Sequence, residues 1–298
     1  MEIVERRLQE WEPEKDRAKR FADLLNGHAN DFAIRDADSG VITVVQKQID
    51  LSTIIDVPRL LRHLRLKGFY TQAQEGSMQR ASGIKAKEQW FGYIPPDTLK
   101  RRYAINRSSL YKKNPELGAT LEGLTPVLWN ALKEIAPDQT AAHEELVAEH
   151  IHQDWWLDGA PFTSGIINHT NVLPYHKDSG NLQGSWSMML ALRKGDEGGA
   201  LHIPEYGETL AIPNCSITFF NGQRYWHGVT PISLRDPNAY RFTLVWYVKD
   251  RIKFCLSREE ELSRAARFAT KGNKGGNPRR KIIAEAKRNA NGEGTPVE

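Results

Sequence analysis

His176 and Asp178 stand two residues apart in the run YHKDSGN, and His227 follows about fifty residues later in YWHG. Two imidazoles and one carboxylate are the facial set that holds a non-haem Fe(II) while leaving coordination positions open. Residues i and i+2 of an extended segment project to the same side, so His176 and Asp178 can share one ion. His227 comes just after the strand-like SITFFNG, where an antiparallel neighbour could bring it opposite the pair. A lone His-x-Asp occurs by chance in many chains, and a single histidine is more often a satisfied surface or core group than a ligand. Arg241, fourteen residues beyond His227 in YRFTLVWY, raises the value of the pattern. Its planar fork could grip the distal carboxylate of 2-oxoglutarate while the keto-acid end chelates iron. Thr243 shares the face of that strand and can donate to the same carboxylate. Arg235 competes for the role, but LRDPN reads as a loop. The plainer alternative is an ordinary strand with one charged and one hydroxyl residue facing solvent. The spacing thus predicts Fe(II) and 2-oxoglutarate as cofactors, with O2 as co-substrate.

Such residues need a frame to converge. From about residue 163, short candidate strands (GIINH, SWSMMLAL, GALHIP, ETLAIP, SITFFNG, RFTLVWYV) are punctuated by Gly, Pro and Asn, a pattern that predicts a β-sandwich or jelly roll. The preceding half reads as an α-rich flank. The first thirty residues show helical spacing at Val4, Leu8 and Trp11, then Phe21, Leu24 and Leu25. FAIRD and VITVVQKQI alternate as a strand pair around the turn Asp38-Ser39-Gly40. Asp56 before Pro58 marks a helix start running to about Lys67. WFGYIP looks extended, and residues 120–150 carry leucines at helical spacing broken at Pro137. The expected fold is a mostly β, α+β chain: a cupin-like double-stranded β-helix over 161–256. Residues 1–160 would be packed on it, and 257–298 would form a basic extension, in one structural domain.

At 298 residues and 40% hydrophobic, with eight tryptophans, the chain can bury a sizeable core. Two isolated cysteines, Cys215 and Cys255, imply neither a disulfide framework nor a Cys-based zinc site. The start is too charged for a signal peptide and no apolar run reaches membrane length. A soluble intracellular protein, cytoplasmic or nucleoid-associated, is expected, with no obligate protein partner evident. The net charge of +4 is uneven: residues 264–288 hold nine Lys/Arg against Glu285 alone. Such a tail suits a polyanionic partner or merely solubilises.

At three further positions the chain resembles the TET/JBP family of DNA base hydroxylases, over about residues 165–250. In that family an asparagine three residues after the metal carboxylate touches the flipped base, and here that position is Asn181. A histidine in a segment like LHVLP helps hold 2-oxoglutarate, and LHIPEY offers His202. Past the arginine, Tyr247 matches the aromatic that stacks on the target base. One position departs: Lys249 stands where cytosine-directed members place a histidine. Lysine only donates, so it suits a carbonyl such as O2 or O4 better than an exocyclic amine, which keeps thymine open beside 5-methylcytosine. Lys249 pointing to solvent at the strand end is an equal alternative.

DNA as partner has separate support in residues 98–114. Lys100, Arg101, Arg102, Arg107, Lys112 and Lys113 occur there without an acid, interleaved by Tyr103 and Tyr111. Basic groups can neutralise phosphates while aromatics brace bases, although a solvated basic face is the commoner meaning of such a run. The reading is an Fe(II)/2-oxoglutarate dioxygenase hydroxylating the 5-methyl group of a pyrimidine in DNA, with the base flipped out or in a single strand. Two others stay open: the same chemistry on a protein side chain or metabolite, and a non-catalytic jelly-roll DNA-binding module.

Overall fold

Asp56 caps the first helix as its position suggests, its side chain accepting from the Arg59 amide at 2.9 Å. The computed structural model describes residues 1–11, 28, 30–66, 71–72, 87–100 and 102–272. In its first half lie β1 Glu2–Arg6, β2 Phe32–Asp36, β3 Ile42–Gln48, α1 Val57–Leu64, β4 Thr71–Gln72, β5 Lys87–Ile94 and β6 Asn106–Arg107. Then come α2 Leu110–Lys113, α3 Pro115–Ile135 and α4 Pro137–His150, the last two divided at Pro137 as the leucine spacing implies. The second half holds β7 Ser164–His169, β8 Ser187–Lys194, β9 Asp196–Gly198, β10 Leu201–Ile203 and β11 Glu208–Leu210. It continues with β12 Ser216–Phe220, β13 Gly228–Val229, β14 Ile232–Leu234, β15 Tyr240–Tyr247 and α5 Arg258–Gly272.

Nine strands run in the order β1-β2-β3-β12-β8-β15-β7-β5-β4, with β6 added on β5. A small sheet, β11-β10-β13, faces this one. The two layers make the jelly-roll core. The N-terminal flank is mixed rather than α-rich, because β1 to β5 extend the main sheet. The helical reading fails at the very start: Glu2–Arg6 is a strand, paired in parallel with β2. Only Val4 of β1 turns inward, so backbone pairing to β2 decides the conformation and overrides the i, i+4, i+7 spacing of Val4, Leu8 and Trp11. Phe21, Leu24 and Leu25 lie outside the described residues.

Alternation along β15 separates two environments. Phe242, Leu244 and Trp246 point into the core with Met188, Leu190 and Leu192 of β8 and with Leu121, Leu124 and Leu128 of α3. The Trp246 indole donates to Thr125 Oγ1 at 2.9 Å, which fixes α3 on the sheet. Arg241, Thr243, Val245 and Tyr247 point to the other face, into a cavity between the two sheets.

On α4, buried His143 receives the Trp186 amide at Nδ1 (3.0 Å) and donates from Nε2 to the Pro161 carbonyl (2.9 Å). Only the neutral ring does both, and burial pushes its pKa down to about 4. The unfolded chain therefore binds this proton more readily than the folded one. Stability from this group is full above the ordinary histidine value of 6.5 and is lost as pH falls towards about 4. Thermal melts across that window should show a falling Tm, with a shallower fall in His143→Gln. An equal slope in both would refute the assignment.

Candidate metal and co-substrate site

The metal-type residues are brought together by backbone, not by side-chain chance. His176 and His227 exchange both backbone hydrogen bonds, at 2.9 and 3.0 Å, and so lie opposite one another. The Asp178 amide donates to the Gly222 carbonyl at 3.0 Å, tying the carboxylate to the turn after β12. Each imidazole spends its Nδ1 on a carbonyl: His176 on Pro174 (2.9 Å) and His227 on Tyr225 (3.1 Å). That sets the tautomer and aims both Nε2 atoms at Asp178 Oδ1, at 3.5 and 3.9 Å. One ligand atom from each of the three lies within 4.8 Å of the others.

The electrostatics suit a cation. Burial, then the neighbouring His176, pushes the His227 pKa down to about 4, so this ring is a neutral donor at physiological pH. Burial opposes charge on His176 and on Asp178, but their mutual contact overcomes it, raising the first and lowering the second. The carboxylate therefore stays ionised. A Cβ on Gly222 would stand 2.6 Å from Asp178 Oδ2, so a side chain there would push the carboxylate from its present position. Asn181 donates to the same oxygen at 3.3 Å and to Ser187 Oγ at 3.2 Å. With the His176 proton displaced on metal binding, two imidazole nitrogens and one anionic oxygen fit Fe(II).

Arg241 is 2% exposed. Its Nη2 donates to the Gly199 carbonyl at 2.7 Å, while Nε has no hydrogen-bond partner. Among the described residues it forms no ion pair, and burial followed by the charge of Arg193 lowers its pKa to about 10. Arg193 itself is paired with Asp196 at 2.8 Å. A buried guanidinium without an anion is costly to hold, and a dicarboxylate would complete it. Thr243 is two residues along the same face and accepts from Asn168 Nδ2 at 3.4 Å, leaving its own proton to give. Asn171 in turn donates to Asn168 Oδ1 at 3.0 Å. The competitor Arg235 pairs with Glu197 on an exposed edge, outside the cavity.

The cavity, about 370 Å³, is bordered by His176, Asp178, His227, Arg241, Thr243, Asn181, Tyr247 and Lys249. His202 does not line it: its ring meets Thr209 Oγ1 at 2.7 Å, and Leu201 is the β10 side chain that faces in. Lys249 does not point to open solvent. Its Nζ lies 4.5 Å from the centre of the Trp90 ring and 5.8 Å from that of Tyr247. Burial and the charges of Arg251 and Arg102 hold its pKa down. Trp90 and Glu88, both on β5, form a wall of the cavity that the sequence reading missed. Their only local signal was period-two spacing in an extended run.

The basic run divides. Lys100, Lys112 and Lys113 are exposed. Arg102 donates to the Pro95 carbonyl at 2.6 Å and faces Asp97 at 3.9 Å. Arg107 pairs with Glu122 and lies over the Tyr93 ring at 4.0 Å, holding β6 to α3. Tyr103 stacks on Phe268 of α5 at 5.2 Å. Arg101 and residues 273–298, with most of the basic tail, lie outside the described residues.

A jelly roll with this donor set and a buried arginine facing the same cavity defines an Fe(II)/2-oxoglutarate oxygenase. Residues 92–250 match the Tet_JBP family, the oxygenase domain of the 2OGFeDO superfamily. This is more than half of the chain, which therefore belongs to that family. Its cofactors are Fe(II) and 2-oxoglutarate, and it is a dioxygenase. No curated protein matches the chain in sequence. Among solved structures, NgTET1 in complex with 5mC DNA is 13% identical with a TM-score of 0.53, over 80% of this chain and 84% of that one. A 2OG-Fe(II) oxygenase family oxidoreductase from Burkholderia pseudomallei is 11% identical, covering 70% and 84%, with a TM-score of 0.38. OsALKBH1 is 12% identical, covering 69% and 97%, with a TM-score of 0.40. No helix among the described residues is long and apolar enough to cross a membrane.

Proposed function

We propose that this dioxygenase hydroxylates the 5-methyl group of a pyrimidine, thymine or 5-methylcytosine, in DNA. The observation that carries the reading is the wall shared with the metal-type residues: Trp90 and Tyr247 offer aromatic rings, and the Lys249 ammonium lies 4.5 and 5.8 Å from their centres. Two aromatic rings and a nearby donor suit a flat ring with a carbonyl edge. Thymine presents two such carbonyls and 5-methylcytosine one. NgTET1, of like fold, is seen with 5mC DNA, and the exposed Lys100, Lys112 and Lys113 supply charge for phosphates.

In this reading His176, Asp178 and His227 hold Fe(II), and Arg241 with Thr243 anchors 2-oxoglutarate. The bound metal and keto-acid supply the O2 chemistry, in which 2-oxoglutarate becomes succinate and CO2 while one oxygen atom enters the substrate C–H bond. The chain's own part is to bind, orient and exclude water. Asn181 steadies Asp178, and Tyr247 and Lys249 seat the base. The guanidinium of Arg241 and the Thr243 hydroxyl would receive the distal carboxylate. His202 touches Thr209 and Tyr175 instead of lining the cavity.

The test is nucleoside mass spectrometry after incubating the protein with Fe(II), 2-oxoglutarate and DNA containing both bases. A 5-hydroxymethyl pyrimidine is expected, with thymine favoured if Lys249 reads the carbonyl edge. Turnover of 2-oxoglutarate that is indifferent to DNA, with no modified nucleoside, would move the substrate to a protein or metabolite.

A further inference from the structure

Between β5 and β6, beyond the cavity-lining Trp90, the chain runs through Pro95 and Pro96 and folds back at Arg102. Asp97 and Arg102 close the turn by exchanging backbone hydrogen bonds at 2.8 and 2.9 Å. At its tip Leu99 is 74% exposed, the largest value for a big apolar side chain among the described residues. A single exposed leucine is ordinary. This one stands on a stiff stalk. Two prolines restrict the stem, Arg102 is bonded to the Pro95 carbonyl, and Arg251 donates to the Pro96 carbonyl at 3.1 Å. Arg251 follows Lys249 by two residues, so the stalk is tied to the strand end that carries the cavity's ammonium. The two arginines are near enough to depress the Lys249 pKa. Lys100 flanks the tip, and Phe254, 69% exposed, lies on the same turn as Arg251.

An apolar point set among cations beside a cavity matches the chemistry of a base stack with phosphates on either side. We propose that Leu99 is a wedge that enters the stack of duplex DNA and fills the gap left when the target base moves into the cavity, with Lys100 and Arg251 on the flanking phosphates. The proposal rests on the DNA reading above. Extrusion from a duplex costs unstacking and unpairing, which a single strand does not impose.

The experiment compares turnover by the full chain on one target base in matched duplex and single-stranded oligonucleotides. Leu99→Ala should lower the duplex-to-single-strand ratio about tenfold, the scale of a partly lost unstacking compensation. Placing the target opposite a mismatch should recover much of that ratio. Leu262→Ala, an equally superficial change on α5, should not move it. An unchanged ratio in Leu99→Ala, or a parent protein active on single strands alone, overturns the wedge. No product from either strand form fails the DNA reading instead.

Discussion

Asp178→Ala should abolish metal binding and turnover together. The carboxylate is the one anionic group in the set, and both Nε2 atoms face its Oδ1. Removing it leaves two neutral rings in a buried site, where His227 already resists charge because of burial. Without its only anionic ligand the site offers a cation two neutral nitrogens alone, and a loss of about 4 kcal/mol in binding is a thousandfold in affinity. Titration with Fe(II) or Co(II) should therefore show at least about a thousandfold weaker binding, and succinate release should fall to background. The fold should survive, because Asp178 sits in a loop and its side chain is 27% exposed. Stoichiometric metal in purified Asp178→Ala, with turnover intact, would sink the site. A variant that binds metal normally yet is inactive would instead move Asp178 from ligand to substrate contact.

Two pairs of that site were legible because their information is local. His176 and Asp178 sit two apart, and Arg241 and Thr243 share a strand face, so period-two geometry alone places each pair. The same rule explains where legibility stopped. His202 lies on a strand of three residues, Leu201–Ile203, too short for its pattern to show which side faces inward. A shift of one residue exchanges the faces, and here Leu201 takes the cavity. Trp90 and Glu88 were missed for a different reason. They reach the site because β5 pairs with β7, which pairs with β15, a neighbourhood that no window of sequence displays. The strand at Glu2–Arg6 is a similar case, decided by β2 about thirty residues away. Asn181 shows a third limit. Its position was apparent, but its amide is engaged with Asp178 and Ser187, so its side chain first orients the metal-type carboxylate.

Arg241→Leu should separate function from stability. In the parent protein the guanidinium is buried with Nε unsatisfied, and Gly199 is the reason it fits: a Cβ there would stand 2.4 Å from Nε. Without 2-oxoglutarate this arrangement is a liability, since replacing buried charge by a well-packed hydrophobe is often neutral or stabilising by about 1–4 kcal/mol. The ligand-free variant should therefore melt at the same temperature as the parent or higher. With 2-oxoglutarate the order should reverse. Loss of one side of a buried carboxylate–guanidinium pair costs about 2–5 kcal/mol, so the KM for 2-oxoglutarate should rise roughly a hundredfold. The parent should gain about 2.7 kcal/mol at a hundredfold excess of ligand over Kd, a gain the variant lacks at the same concentration. Arg241→Lys should lie between them, keeping the charge but losing the planar fork. An unaltered KM in Arg241→Leu would show that the distal carboxylate binds elsewhere. A large fall in the ligand-free Tm would mean that Arg241 is held for the fold, through its Gly199 contact, and not for the co-substrate.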